Sequence, residues 1–324
     1  MLRTPLCDLL GIEAPVLCAP FGPWEQVELA AAVCEAGGLG SVGTALRPLD
    51  GLRDQWQRLR ELTDRPFAIN HTNRPFDEAT FAASLAFRPP ALSFHMAVPA
   101  ELVARAHDAG VLWIQQVFTA RQAEAALAAH ADVLIAQGGE AGGNGGWIAA
   151  MVLVPQVVDL AGDVPVVAAG GIADGRGLAA ALALGAQGVC MGTRFLATPE
   201  ASVAAEWKER IVAADAADAV KVANAEALLP PFTLPAEAAV PRALRTPLTE
   251  ALAVSPADVD VAAARDRLSA ALAEGRGHED LPFTGQSAGL IHDVRPAGDI
   301  VRGVVREAEA ALAAAAQLSA PACG

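Results

Sequence analysis

Two glycine-containing turns that lie close together in the chain have the residue types that bind a phosphate group. The segment Val164–Phe195 contains the apolar runs VPVVAA and GVCM, which are typical of strands buried on both faces. Gly170-Gly171 follows the first run and Gly192-Thr193 follows the second. Without a side chain in the way, backbone N–H groups in such turns can close on an anion. The pattern predicts a phosphate site, and the alternative is that these glycines serve only the turns.

Polar groups also follow several other apolar runs. Asn70-His71, His95 and Gln116 each end such a run, and the loop QGGEAGGNGG (137–146) places Asn144 among glycines. Amides can hydrogen-bond the edge of a flat ring, and a histidine can carry a proton near neutral pH. The structural alternatives are a strand-end cap for Asn70, a solvated end for Gln116 and a hydrogen-bonded structural role for each histidine.

Other kinds of catalytic site are not indicated. The sequence has no GxSxG elbow, no Walker loop with its lysine and no His/Asp/Glu set with metal-ligand spacing, so we expect no metal. Its five cysteines lack CxxC spacing, which favours free, buried thiols, and Cys18 has no evident partner that would activate it.

Short apolar runs alternate with helical stretches along the first 200 residues. Strict alternation implies a parallel sheet with right-handed crossovers, and eight units favour an α/β fold of the (β/α)8 TIM-barrel type. We predict the barrel over residues 1–200, a mainly helical extension on the substrate side over 201–280, and a closing loop with a C-terminal helix over 281–324. The predicted strands are Pro15–Ala19, Leu39–Gly43, Phe67–Asn70, Ala91–His95, Val111–Val117, Asp132–Ala136, Val164–Ala169 and Gly188–Met191.

Composition narrows the range of partners. The net charge is −14, which argues against nucleic acid, since phosphates require a basic surface. No uninterrupted run of 18 apolar residues predicts a membrane span, and the N-terminus lacks the apolar region of a secretory signal. We therefore expect a cytoplasmic protein that acts on a small molecule; a homodimer is compatible with the sequence.

Several motifs, in a fixed order, resemble the nitronate monooxygenase family, formerly called 2-nitropropane dioxygenases, which are FMN-dependent barrels. The matching pieces cover most of the first 200 residues and part of the tail: VLCAPFG, AGGLGSVG, PFAIN, QGGEAGG, the stretch through MGTRF, and GQSAGL. Enoyl-acyl carrier protein reductases and NADH:quinone reductases of the same barrel type share these motifs.

The resemblance implies that FMN is the cofactor. Its phosphate would be held by Gly170, Gly171, Gly192 and Thr193. The remaining cofactor contacts that the resemblance implies are Ala19, Pro20, Phe21, Asn70, Gln116, Gly138, Glu140, Ala141, Gly142, Gly143, Ala169, Met191, Gln286, Ser287 and Gly289.

One residue departs from the family pattern. The family loop reads Glu-Ala-Gly-Gly-His, and its histidine is the candidate base, whereas this chain has Asn144 at that position. An amide cannot accept a proton at neutral pH, so Asn144 can only orient or polarise a ligand. The histidines that could replace the base are His95, His71 and His292, and together with Asn144 they form the catalytic candidates.

The expected activity is oxidation of a small nitronate or nitroalkane-like substrate with dioxygen. The first alternative is a flavin reductase of the same superfamily that uses NAD(P)H to reduce a quinone or an enoyl thioester. The second is a barrel that binds a phosphorylated ligand without redox chemistry.

Overall fold

Eight parallel strands form a barrel in the computed structural model, which describes residues 2–72, 76–95, 97–228 and 239–319. The barrel strands are β1 (Val16–Cys18), β2 (Gly40–Gly43), β3 (Phe67–Thr72), β4 (Ala91–His95), β5 (Leu112–Val117), β6 (Val133–Gln137), β8 (Val166–Ala169) and β9 (Gly188–Met191). Three further strands form a small separate sheet: β7 (Gly143–Gly145), β10 (Ala219–Lys221) and β11 (Val240–Leu244). The eight strands that the alternation predicts are thus confirmed, with their ends shifted by at most two residues.

Helices alternate with the barrel strands and continue beyond them. Those of the barrel are α1 (Pro5–Leu10), α2 (Val27–Glu35), α3 (Leu49–Leu62), α4 (Glu78–Phe87), α5 (Ala100–Asp108), α6 (Ala120–Ala128), α7 (Ala150–Ala161), α8 (Gly175–Ala183) and the short α9 (Thr193–Leu196). The later ones are α10 (Ala205–Ala213), α11 (Pro247–Val254), α12 (Val261–Ala273) and α13 (Ala297–Ser319). Among the described residues, no helix is both long and apolar enough to cross a membrane.

The strand order around the barrel is β1-β9-β8-β6-β5-β4-β3-β2, with every neighbouring pair parallel. A bridge between Leu17 and Leu39 joins the two ends of this order and completes the ring. The carboxyl ends of all eight strands therefore meet at one mouth, which is the end where (β/α)8 barrels place their binding groups.

The core has two layers because successive strand residues face opposite sides of the sheet. One layer lies between the strands and the outer helices, and the other fills the barrel with small and medium apolar side chains. α1 closes the bottom of this inner layer with Leu6, Cys7 and Leu10, which are buried. The bottom is thus sealed and the mouth is left for a ligand.

Beyond the barrel, the extension is mainly helical, but its small sheet was missed by the sequence analysis. β11 pairs antiparallel with β10 and with β7. β7 consists of Gly143, Asn144 and Gly145, which have little preference for a strand, and its partner is almost 100 residues away. Pairing across that distance leaves no local signal in the sequence.

The plug at the bottom of the barrel gives a stability prediction. Leu6 is fully buried, so we expect Leu6→Ala to lower the free energy of unfolding by about 2–5 kcal/mol through lost burial and a residual cavity. Leu9, on the same helix, is 39% exposed, and we expect Leu9→Ala to cost less than about 1 kcal/mol. Urea unfolding of both variants checks this, and equal losses would contradict the proposed plug.

Candidate active site

A cavity opens at the mouth of the barrel, where the carboxyl ends of the strands place the predicted site residues. Its empty volume, which includes open solvent at the mouth, is about 1500 Å³. Seventeen of its lining residues come from the strand ends and the turns after them: Ala19, Gly43, Asn70, Thr72, His95, Gln116, Gln137, Ala141, Gly142, Gly143, Asn144, Ala169, Gly170, Gly171, Cys190, Gly192 and Thr193. The others are Pro20, Phe21, Gly22, Pro23, Trp24, Ala45, Leu46, Ile172, Leu196, Trp207, Leu272, Phe283 and Ser287.

One corner of the cavity offers unpaired backbone N–H groups. Gly170 and Gly171 have φ angles of +93° and +74°, a conformation that glycine adopts without strain. Among the described residues, the N–H groups of Gly171, Gly192 and Thr193 donate to no acceptor, and all three residues line the cavity. Three N–H groups without a protein partner that line one cavity fit an anion such as a phosphate, and we call this set the anion corner.

Amide side chains lie along the strand ends on the floor of the cavity. Asn70 donates from Nδ2 to Ser93 Oγ at 2.9 Å, which fixes its orientation. Gln116 faces the cavity, whereas its neighbour Gln115 is fully buried on the other face of β5. Gln137 also lines the cavity, and its Oε1 is buried without a hydrogen-bond partner among the described residues. This row of amides is suited to a ligand with both donors and acceptors along one edge.

The glycine-rich loop after β6 is held from behind by two cations. Lys221 Nζ donates to the carbonyl oxygens of Gly145 at 2.9 Å and Gly146 at 2.8 Å, and Arg242 donates to that of Gly139 through Nε and Nη2. Burial, together with the nearby charge of Arg242, lowers the pKa of Lys221 to about 8. The loop that carries Asn144 is therefore attached to the extension through its carbonyl groups.

The same loop is in contact with the GQSAGL turn, where Gln286–Leu290 forms a 3-10 helix. A Cβ built on Gly142 would lie 2.5 Å from the amide nitrogen of Gly285, so only glycine permits this approach. Gln286 N–H donates to the Glu140 carbonyl at 2.9 Å, and Gly285 N–H donates to Thr193 Oγ1 at 2.9 Å. Three segments far apart in the sequence thus meet beside the anion corner.

The comparison with known families matches this arrangement. The sequence profile of the family described as nitronate monooxygenase matches residues 3–84 and 72–307. The protein belongs to the nitronate monooxygenase family. It is therefore an oxidoreductase on a TIM barrel, as the resemblance implied.

Its similarity extends to members with different names. It is 42% identical over 217 residues to the 5-hydroxy-7a-methyl-1-oxo-octahydro-1H-indene-4-carboxyl-CoA dehydrogenase of Mycobacterium tuberculosis, over 66% of this chain and 61% of that protein. It is 33% identical to the nitronate monooxygenase of Pseudomonas aeruginosa, over 92% of this chain and 97% of that protein. The structure of FabK from Thermotoga maritima matches with a TM-score of 0.87 and 34% identity, over 98% of this chain and 100% of that one.

Of the three histidines predicted from the sequence, one lies at the cavity. His95 lines it, and burial lowers its pKa to about 4 in spite of a hydrogen bond with the His71 backbone. His71 points away from the cavity: its ring nitrogens hydrogen-bond Thr44 Oγ1 at 3.3 Å and Ser84 Oγ at 2.9 Å. His292 is exposed and does not line the cavity. Strand alternation explains why the His71 side chain points away from the cavity, because the adjacent Asn70 faces inward.

Most of the predicted cofactor contacts of this nitronate monooxygenase family member line the cavity, but five do not. Met191 is buried in the outer core layer, and the Glu140 carboxylate accepts from Ala150 N at the start of α7. Gly289 packs against Ala216, and neither Gly138 nor Gln286 lines the cavity. The family motif is thus partly a packing motif, since Glu140 and Gln286 hold the loop through its backbone.

The sequence patterns did not predict the large apolar residues of the cavity lining. These residues are Trp24 in the loop after β1, Trp207 in α10, Leu272 in α12 and Phe283 in the segment after α12. No spacing in the sequence links these positions. Gln137 was also missed, although the inward alternation of Val133, Ile135 and Gln137 in β6 was a usable signal.

The buried His71 gives a pH prediction. Burial lowers its pKa from 6.5 to about 4, so between these values the unfolded chain binds a proton that the folded protein does not. Stability should therefore fall as the pH is lowered from 6.5 to 4, by about 3 kcal/mol from this residue. We expect His71→Gln to remove about half of this dependence in urea unfolding, because His95, whose pKa burial also lowers to about 4, should contribute the other half. The exposed His292→Gln is the control and should keep the whole dependence; equal slopes for both variants would contradict the assignment.

Proposed function

We propose that the cavity binds FMN, with the phosphate at Gly171, Gly192 and Thr193. The observation that carries this proposal is the set of three unpaired N–H groups in one corner of a cavity whose floor is a row of amides. Asn70, Gln116 and Gln137 would hydrogen-bond the ring system, and Ala19, Pro20 and Phe21 would line it. Bound flavin would supply two-electron oxidation, which no side chain of this cavity can supply.

We propose further that the substrate is a pre-formed organic anion such as a nitronate, with dioxygen as the electron acceptor. Asn144 lines the cavity and can donate a hydrogen bond to such an anion, but it cannot take a proton from carbon. The imidazole of His95 is a weak base, because burial lowers its pKa to about 4. Both residues favour a substrate that arrives already deprotonated over a neutral nitroalkane.

A reductase that uses NAD(P)H is the second candidate. It is favoured by the similarity to FabK along almost the whole chain and by the 42% identity to a carboxyl-CoA dehydrogenase, a relative named for a thioester substrate. An anaerobic screen with NADH, NADPH and propyl nitronate separates the two candidates. Bleaching of the flavin by propyl nitronate alone supports the oxidase, and rapid bleaching by a reduced nicotinamide supports the reductase. A protein that stays colourless after reconstitution with FMN would contradict both and support a non-redox ligand site.

The anion corner can be tested by a charge placed within it. We expect Gly192→Asp to weaken FMN binding at least about tenfold, because a carboxylate there repels the phosphate at short range. Gly192→Ala is the matched control: its φ is −106°, and a Cβ would lie 3.6 Å from Ala19 Cβ and 3.7 Å from Phe21 Cε1, which are ordinary contacts. Fluorescence titration of the apoprotein with FMN measures both. Equal affinity of the aspartate and alanine variants would place the phosphate elsewhere.

The missing base gives a prediction for the reaction. We expect Asn144→His to raise turnover of neutral nitropropane at least about tenfold, because an imidazole at this position of the cavity can accept the proton. Turnover of propyl nitronate should change much less, since that anion needs no base. Oxygen consumption with both substrates measures the ratio. No gain with the neutral substrate, while flavin remains bound, would show that this pocket serves other chemistry.

A further inference from the structure

Part of the cavity lining is apolar and comes from outside the strand ends that carry the amides. We define the apolar wall as Trp24, Leu196, Trp207, Leu272 and Phe283, all of which line the cavity. Its members come from the loop after β1, from α9 and from the extension, whereas the amides and glycines come from the strand ends. The cavity thus has two faces of different chemistry, and the polar face suffices for the cofactor under the proposed function.

The centre of the apolar wall is rigid before any ligand binds. Trp207 is 1% exposed, and its Nε1–H donates to Thr284 Oγ1 at 3.0 Å. Its ring lies parallel to His278 with centroids 6.2 Å apart, and Trp24 packs edge-on against it at 5.2 Å. Trp207 itself leaves almost no surface for a ligand, but it holds the partly exposed Trp24 in place. A large aromatic side chain that is fixed in this way binds apolar groups without losing further conformational freedom.

A charged group on the non-reacting part of a substrate would find no oppositely charged side chain in the described lining of the cavity. Among the described residues that line the cavity there is no Asp, Glu, Lys or Arg. Burying an unpaired charge is costly, whereas burying hydrocarbon against aromatic rings is favourable. The wall therefore selects an uncharged hydrocarbon group for the non-reacting part of the substrate.

We propose that the apolar wall binds a cyclic or branched hydrocarbon group carried by the substrate, and that this protein prefers such substrates to short-chain ones. The proposal rests on the proposed function, because the amide face must be occupied by the cofactor for the wall to face the substrate. A ring of six carbons would contact Trp24, Leu272 and Phe283, which are partly exposed, while its reacting carbon points to the amide face.

A pair of nitronates with the same reacting group tests this preference. The nitronates of nitrocyclohexane and of 2-nitropropane are both secondary, and the first has three additional methylene groups. Burial of those groups should lower KM at least about tenfold for the cyclohexyl compound. Equal KM values, or a lower value for the smaller nitronate, would overturn the proposal.

Binding of neutral ketones separates this proposal from the proposed reaction. Calorimetric titration of the flavin-loaded protein with cyclohexanone and with acetone should show at least about tenfold tighter binding of cyclohexanone. This result would support the apolar wall even if neither nitronate were oxidised, in which case only the proposed reaction would fail. Equal or undetectable binding of both ketones would contradict the proposal that the apolar wall binds the hydrocarbon group.

Variants locate the preference. Trp24→Ala should remove most of the cyclohexyl preference and Trp24→Phe should retain it; Trp147→Ala is the matched control, because Trp147 is 61% exposed and does not line the cavity. Phe283→Leu, which keeps an apolar side chain, is the second variant and should lower the preference by a few fold while flavin stays bound. An unchanged preference in both Trp24→Ala and Phe283→Leu, or an equal loss in Trp147→Ala, would contradict the assignment.

Discussion

The contact between the backbones of Gly142 and Gly285 is the constraint on which the rest of the site depends. It brings the loop after β6 against the turn that precedes the last helix, and the Thr193 hydroxyl accepts from Gly285 N–H at the same place. A methyl group at either glycine would meet backbone atoms within 3 Å and force the two segments apart. The anion corner, the glycine-rich loop and the turn before the last helix are therefore positioned together, and none can shift alone.

Charge on the far side of the loop completes this arrangement. Lys221 and Arg242 donate to carbonyl oxygens of the glycine-rich loop and its flanks, and no carboxylate among the described residues forms an ion pair with either of them. Backbone carbonyls are thus the direct hydrogen-bond partners of Lys221 and the buried Arg242, while the Glu140 carboxylate attracts both charges without forming an ion pair. The cost of that burial is visible in the lowered pKa of Lys221, and the result is a defined strand, β7, from residues with little strand preference.

Patterns among neighbouring residues in the sequence predicted the barrel strands and the residues at their carboxyl ends. Apolar runs predicted all eight barrel strands. The rule that binding groups lie at the carboxyl ends of barrel strands predicted that Asn70, Gln116 and the glycine turns line the cavity. The alternation within β3 was available but not applied, so His71 was placed in the cavity beside Asn70, although adjacent strand residues face opposite sides. Pairing of β7 with β11 and the meeting of Trp24 with Trp207 depend on contacts across more than 90 residues, which no local period encodes.

Under the proposed function, binding of the cofactor and proton transfer from the substrate would use different groups in this fold. Backbone N–H groups of Gly171, Gly192 and Thr193 form the anion corner, and their geometry is fixed by turns and by the Gly285 contact rather than by side-chain identity. The proton acceptor, by contrast, would be a single side chain on β7, where only the residue at 144 faces the cavity with polar atoms. Asparagine at that position can therefore change the reaction without disturbing the anion corner. Under the proposed function, the fold can keep its anion corner while the side chain at position 144 cannot accept a proton from carbon.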